Sequence, residues 1–109
     1  MEEINENTRQ YPPLVVGSVR IYPASGKDNV LAYAAVDLNG AFVIHGLRIV
    51  QGRSGPFVSM PQRMVKGEYK DEYKDVCFPC TREFLQIFVD AVLDAYESWQ
   101  EGNAENGGE

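Results

Sequence analysis

From Leu14 onward, apolar and polar residues alternate with the period of two that marks β-strands. Val15, Val19 and Ile21 share one side, Ser18, Arg20 and Tyr22 share the other, and Pro23 ends the run. Ser25-Gly26-Lys27-Asp28-Asn29 turns the chain. The next run, Val30 to Leu38, lines up Ala32, Ala34, Val36 and Leu38 on one face, small enough to sit close under a helix. Asn39-Gly40 predicts a hairpin, because both central positions of a type I′ turn take positive φ. The strand that follows, Ala41 to Gln51, is apolar on both faces: Val43, Leu47 and Ile49 oppose Phe42, Ile44 and Val50. Such a pattern predicts a central strand, or a sheet whose second face a partner covers. Gly46 in its middle points to a bulge or a close backbone approach. A glycine-bracketed turn, Gly52 to Pro56, leads into the short run Phe57–Met60, which Pro61 stops.

The period then changes. Thr81 is a good N-cap, and Arg82 to Gln100 run without Gly or Pro. At 100° per residue, Phe84, Leu85, Phe88, Ala91, Val92, Ala95, Tyr96 and Trp99 form one broad apolar face. Glu83, Asp90, Asp94, Glu97 and Glu101 gather opposite, as a solvated stripe. The pattern predicts an α+β domain of two layers, an antiparallel sheet of four to five strands packed against one long C-terminal helix. The domain is expected to span residues 13–101, between a flexible arm (1–12) and a disordered acidic tail (102–109).

Composition narrows the class. A chain of 109 residues with 44% apolar content supports one core and excludes general disorder. No apolar run approaches the ~20 residues of a membrane span. The acidic start, Met1-Glu2-Glu3, is unlike a signal peptide, so a cytoplasmic protein with no membrane partner is expected. The net charge of −6 is concentrated at the two ends. Between Arg48 and Lys74 six bases face only Glu68, Asp71 and Glu72. A polyanion responds to such a local patch more than to the sum.

Candidate chemistry is sparse. Cys77-Phe78-Pro79-Cys80 at a helix start has the form of a thiol redox motif. A thioredoxin-like fold would need strands after it, however, and here only one helix follows. Two plain thiols in a reducing compartment are the expectation. With His45 the cysteines supply three zinc ligands, one short of a closed structural site. His45 is placed on the strand face of Val43, Leu47 and Ile49, as a core or interface group. Glu68-Tyr69-Lys70-Asp71 is repeated at once as Glu72-Tyr73-Lys74-Asp75. A four-residue copy preserves strand phase, so the expectation is an insertion in a loop or hairpin end. The bases form a more coherent set: Arg48 on the strand with Phe42, Ile44 and Val50, Arg53 in the turn, Arg63 and Lys66 after Met60-Pro61, and Arg82 at the helix start. Arginines on turns and strand ends suit phosphate contacts.

The segment FVIHGLRIVQGRSGPFVSMPQR, Phe42 to Arg63, resembles the hallmark of the stage V sporulation protein G (SpoVG) family. Matching positions are Phe42, Val43, His45, Arg48, Gly52, Gly55, Phe57, Val58, Met60, Pro61 and Arg63. Similarity continues through Gly67–Asp71, Pro79 and Ala91–Glu97. The resemblance implies a small homodimeric α+β regulator that binds DNA and RNA and affects the sporulation septum. It implies no enzymatic activity and no cofactor. Family segments linked to nucleic acid contain Arg63 and Arg82 here, with Lys66 close by. Arg48, Arg53, Arg63, Lys66 and Arg82 are thus the expected phosphate contacts. The alternative is a protein-interaction module in cell division or developmental control, with division or regulatory proteins as partners and no direct nucleic-acid binding.

Overall fold

The computed structural model describes residues 13–107, with side chains to residue 102; the arm over 1–12 and the last two tail residues lie outside that range. Four strands, β1 (Val16–Pro23), β2 (Val30–Leu38), β3 (Phe42–Gly52) and β4 (Gly55–Ser59), form an antiparallel sheet in the order β1-β2-β3-β4. Two more, β5 (Gln62–Val65) and β6 (Glu72–Asp75), form a separate antiparallel ribbon. The chain closes with helix α1, Arg82–Gly107. The architecture is the expected two-layer α+β fold, with the ribbon as an addition outside the main sheet.

Local chemistry accounts for most of the boundaries. Asn39 and Gly40 have φ of 58° and 65°, and the Ala41 N–H donates to the Leu38 carbonyl at 3.0 Å, which is the type I′ hairpin. Asp37 reinforces it by accepting the Gly40 N–H at 2.6 Å. Thr81 caps α1, its hydroxyl accepting the Phe84 N–H at 3.2 Å. The helix continues past Gly102, where the sequence reading ended it. Gly102 keeps a negative φ, and a glycine inside a helix costs about 1 kcal/mol against alanine without forbidding the helix. Helix α1 accordingly runs to Gly107.

The core lies between α1 and one face of the sheet. Phe88, Val92 and Tyr96 pack with Ala32, Ala34, Val36, Leu47, Ile49 and Met60. The alanines of β2 let the helix approach closely, as their size predicts. Leu85 does not join them: it is 43% exposed, one step off the Phe84–Phe88–Val92–Tyr96 line. Phe84 and Phe88 adjoin with ring centroids 6.1 Å apart, and Tyr96 stacks near Trp99 at 6.0 Å.

Two bulges change which residues the core receives. Between Ala34↔Leu47 and Val36↔Ile44, β2 advances two residues while β3 advances three. Gly46, with φ of 84°, sits in the extra step. The alternation of β3 reverses there, so Ile44, Leu47 and Ile49 face the helix while Val43 is 53% exposed. What reads as a strand apolar on both faces is one apolar face that changes parity. His45 consequently leaves the expected Leu47–Ile49 face and lies exposed beside Val43. A second bulge between Val16 and Val19 puts Val16 on the core and leaves Val15 56% exposed.

Candidate nucleic-acid interface

The face of the sheet turned away from α1 is uncovered. Pairing places a row of side chains directly across it: Tyr22 opposite Tyr33, Tyr33 opposite Arg48, and Arg48 opposite Ser59. Partners across a ladder share a face and stand about 5 Å apart. Arg20 and Ala35 form the neighbouring pair, and Phe57 stands opposite Val50. Tyr22 and Tyr33 are each 41% exposed and Phe57 is 49% exposed. Phe57 also explains Gly52, since a Cβ there would come within 2.9 Å of its ring. A polar hollow of about 190 Å³ continues the face, lined by Ser18, Arg20, Tyr22, Asp37 and His45 among others.

Arg48 links this face to the ribbon. Its guanidinium donates to the Ser59 hydroxyl and to the Gln62 side-chain carbonyl, both at 3.1 Å. Gln62 in turn donates to Asp75 at 2.9 Å, and the Val76 N–H closes the base of the ribbon on the Pro61 carbonyl at 2.7 Å. Arg48 is half-buried and held by these bonds, so it serves as a joint as well as a charge.

Along the ribbon, Arg63 pairs directly with Lys74. They project from the side opposite Gln62 and Tyr73, which border the hollow beside Arg48. Lys66 follows in the connection between β5 and β6. There a Cβ on Gly67 would collide with the Lys70 carbonyl oxygen. The repeated tetrapeptide is thereby divided: Glu68–Asp71 is the connection and Glu72–Asp75 is strand β6.

The five bases singled out in the sequence therefore occupy three places. Arg48, Arg63 and Lys66 follow β3 into the ribbon. Arg53 lies in the β3–β4 turn, near Pro56, which lines a hollow with Leu93, Tyr96 and Gln100 of α1. Arg82 begins α1 at the other end, where Phe84 and Phe88 meet Leu38, Ile44 and Met60. Sequence reasoning did not single out Tyr22, Tyr33, Phe57, Arg20 or the Arg63–Lys74 pairing. The alternation of β1 already sets Arg20 and Tyr22 opposite the core residues; the cross-strand partners depend on register, which bulges in two ladders alter.

At that same end a groove of about 380 Å³ runs between α1 and the sheet, lined by Leu14, Ile44, Met60, Phe84, Cys77 and Cys80 among others. Cys77 is half-buried, Cys80 is exposed, and both thiols are free. They lie on the helix side of the sheet and His45 on the open side, which separates the three residues considered as metal ligands. Among the described residues no group of three or more His, Cys, Asp or Glu side chains is arranged to hold a metal ion. Among them, too, no helix is long and apolar enough to cross a membrane.

The chain is similar to known proteins over most of this architecture. The SpoVG family model matches residues 14–98. A protein of Archaeoglobus fulgidus described as "Putative septation protein SpoVG" is 43% identical over 82 residues, which cover 75% of this chain and 93% of that protein. One of the same description from Clostridium novyi is 32% identical over 96 residues, covering 86% of this chain and 93% of the relative. A Staphylococcus aureus protein, again so described, is 33% identical over 86 residues, 79% of this chain and 83% of its own. The matched region runs from two residues before β1 to Ser98 of α1, and on these grounds the chain belongs to the SpoVG family.

Proposed function

We propose that this SpoVG-family protein is a homodimeric, nucleic-acid-binding regulator of septation and gene expression. The observation that carries the reading is the Arg63–Lys74 pair. Like charges directly opposite on a ladder are destabilising, and both residues stand on an exposed ribbon. Phosphates bound across them offset that repulsion with opposite charge, and the polyanion releases counterions as it binds. Arg48 anchors the base of the ribbon and Lys66 follows its first strand, while Glu72 is the one acid paired on the Arg63–Lys74 side of the ladder. Two-fold symmetry would double this patch, which lets a few bases per chain serve.

A salt titration of binding to duplex DNA tests the reading, with the oligomeric state followed by sedimentation. Each phosphate contact contributes a log–log slope of about −0.9 on duplex DNA. Arg63→Ala and Lys74→Ala are each expected to weaken binding to all sequences alike and to reduce the slope by about one contact. A flat slope, or no binding at low salt, overturns the proposal. The apolar groove at the start of α1 favours a second reading, a module that docks a division or regulatory protein. Nuclease-resistant co-purification of such a partner, lost on Phe84→Ser, would support it.

A further inference from the structure

The open face of the sheet has a composition unlike that of the ribbon. A duplex-binding patch needs bases alone, but this face carries aromatic rings. Tyr22 and Tyr33 are cross-strand partners on its middle, and Phe57 lies farther along, over Gly52. Positive charge flanks the rings on both sides: Arg20 lies two pairs along the β1–β2 ladder, on the same face, and Arg48 directly opposes Tyr33. The acids of α1, Glu83, Asp90, Asp94 and Glu97, are exposed on the other layer. Exposed rings between arginines fit a single strand, whose unpaired bases offer flat faces and whose backbone offers phosphates. Duplex DNA hides those faces.

The hollow beside Tyr22 adds a second feature. Asp37 stands there with Ser18 and His45. A carboxylate repels phosphate, but it accepts a hydrogen bond from a hydroxyl. One oxygen of Asp37 takes the Gly40 N–H, and a carboxylate has acceptor capacity beyond one bond. A ribose 2′-hydroxyl is the strand group that matches.

Resting on the nucleic-acid reading above, we propose that this face is a stacking platform for single-stranded RNA. Bases stack on Tyr22 and Tyr33, phosphates meet Arg20 and Arg48, and the hollow at Asp37 takes a ribose hydroxyl. The platform is separate from the Arg63–Lys74 side of the ribbon. The protein would therefore hold a single strand and a duplex on different surfaces.

Fluorescence anisotropy of the full chain with labelled oligo(U), matched oligo(dU) and a duplex DNA tests this. Tyr22→Ala and Tyr33→Ala are each expected to weaken oligo(U) binding about tenfold, within the range for loss of one stacked base. Tyr→Phe at either position should retain it, because the ring and not the hydroxyl carries the contact. Duplex affinity should stay at the wild-type value, and oligo(dU) should bind more weakly than oligo(U). Circular dichroism and thermal unfolding verify that the variants are folded. Undiminished oligo(U) binding by the double alanine variant overturns the platform, and equal binding of oligo(dU) overturns the assignment to RNA. If the tyrosine variants become monomeric while each protomer keeps its oligo(U) affinity, a second copy owns this face and the proposal fails. A wild-type protein that binds neither strand nor duplex removes the general nucleic-acid reading as well, so the two failures are distinct.

Discussion

The helix-facing side and the open side of the same four-stranded sheet both carry large apolar side chains, but only one of them is covered. One side presents Ala32, Ala34, Val36, Leu47 and Ile49 to α1 and loses nearly all contact with water. The other presents Tyr22, Tyr33, Val43 and Phe57, each at least 41% exposed. The open side also carries Arg20, Asp37, His45 and Arg48 among its apolar residues, and the covered side has no such charges. The distinction lies in position relative to α1, set by register, and bulges in the β1–β2 and β2–β3 ladders shift that register. A covered face supplies stability; an uncovered one with rings and arginines remains available to a ligand.

Substitutions can break that contrast in order of expected size. Phe88→Ala, at 1% exposure, should cost about 3–5 kcal/mol, read as a lowered midpoint of urea unfolding at an unchanged slope. Gly46→Ala sharpens the role of the bulge. A Cβ there would meet nothing nearer than Pro61 at 3.8 Å, so space is not the obstacle. The cost is conformational, about 1–2 kcal/mol for a side chain held at positive φ, and the same denaturant midpoint measures it. Thr81→Ala should lose about 1 kcal/mol with the cap, and Thr81→Ser should recover most of it. Leu85→Gln, although only three residues from Phe88, should stay within about 0.5 kcal/mol of wild type in thermal unfolding. A large loss at Leu85 would mean that a partner or second copy covers that side of the helix.

Much of the fold was legible because its signals are local. Asn39-Gly40 specifies its turn through positive φ, Thr81 specifies its cap, and Phe84, Phe88, Val92 and Tyr96 recur at helical spacing. The misplacements share a different cause. Val15 for Val16, and His45 assigned beside Leu47, both follow from extending a strict period of two through a bulge. Gly46 was visible as an irregularity, but reversal of the strand's parity is a property of the pair β2–β3, not of one strand. The candidate site was legible only in part for the same reason. Arg48, Arg63 and Lys66 stand out singly, whereas the Tyr22–Tyr33–Arg48 row and the Arg63–Lys74 pair exist only once strands are matched.

The repeated tetrapeptide gives the ribbon a degenerate reading frame. In the observed frame Gln62, Arg63, Met64 and Val65 oppose Asp75, Lys74, Tyr73 and Glu72. Sliding β5 by one repeat would set the same four residues against Asp71, Lys70, Tyr69 and Glu68, restoring every partner type. The displacement is about 13 Å of strand. Pairing chemistry is thus indifferent between two addresses along the chain, and the choice falls to the linkers. The observed frame leaves residues 66–71 as the arm's tip and a short path from Asp75 to Thr81. The alternative would shorten the tip to Lys66-Gly67 and lengthen the tether to α1 by four residues. Arm length and helix tether are one quantity shared between two ends.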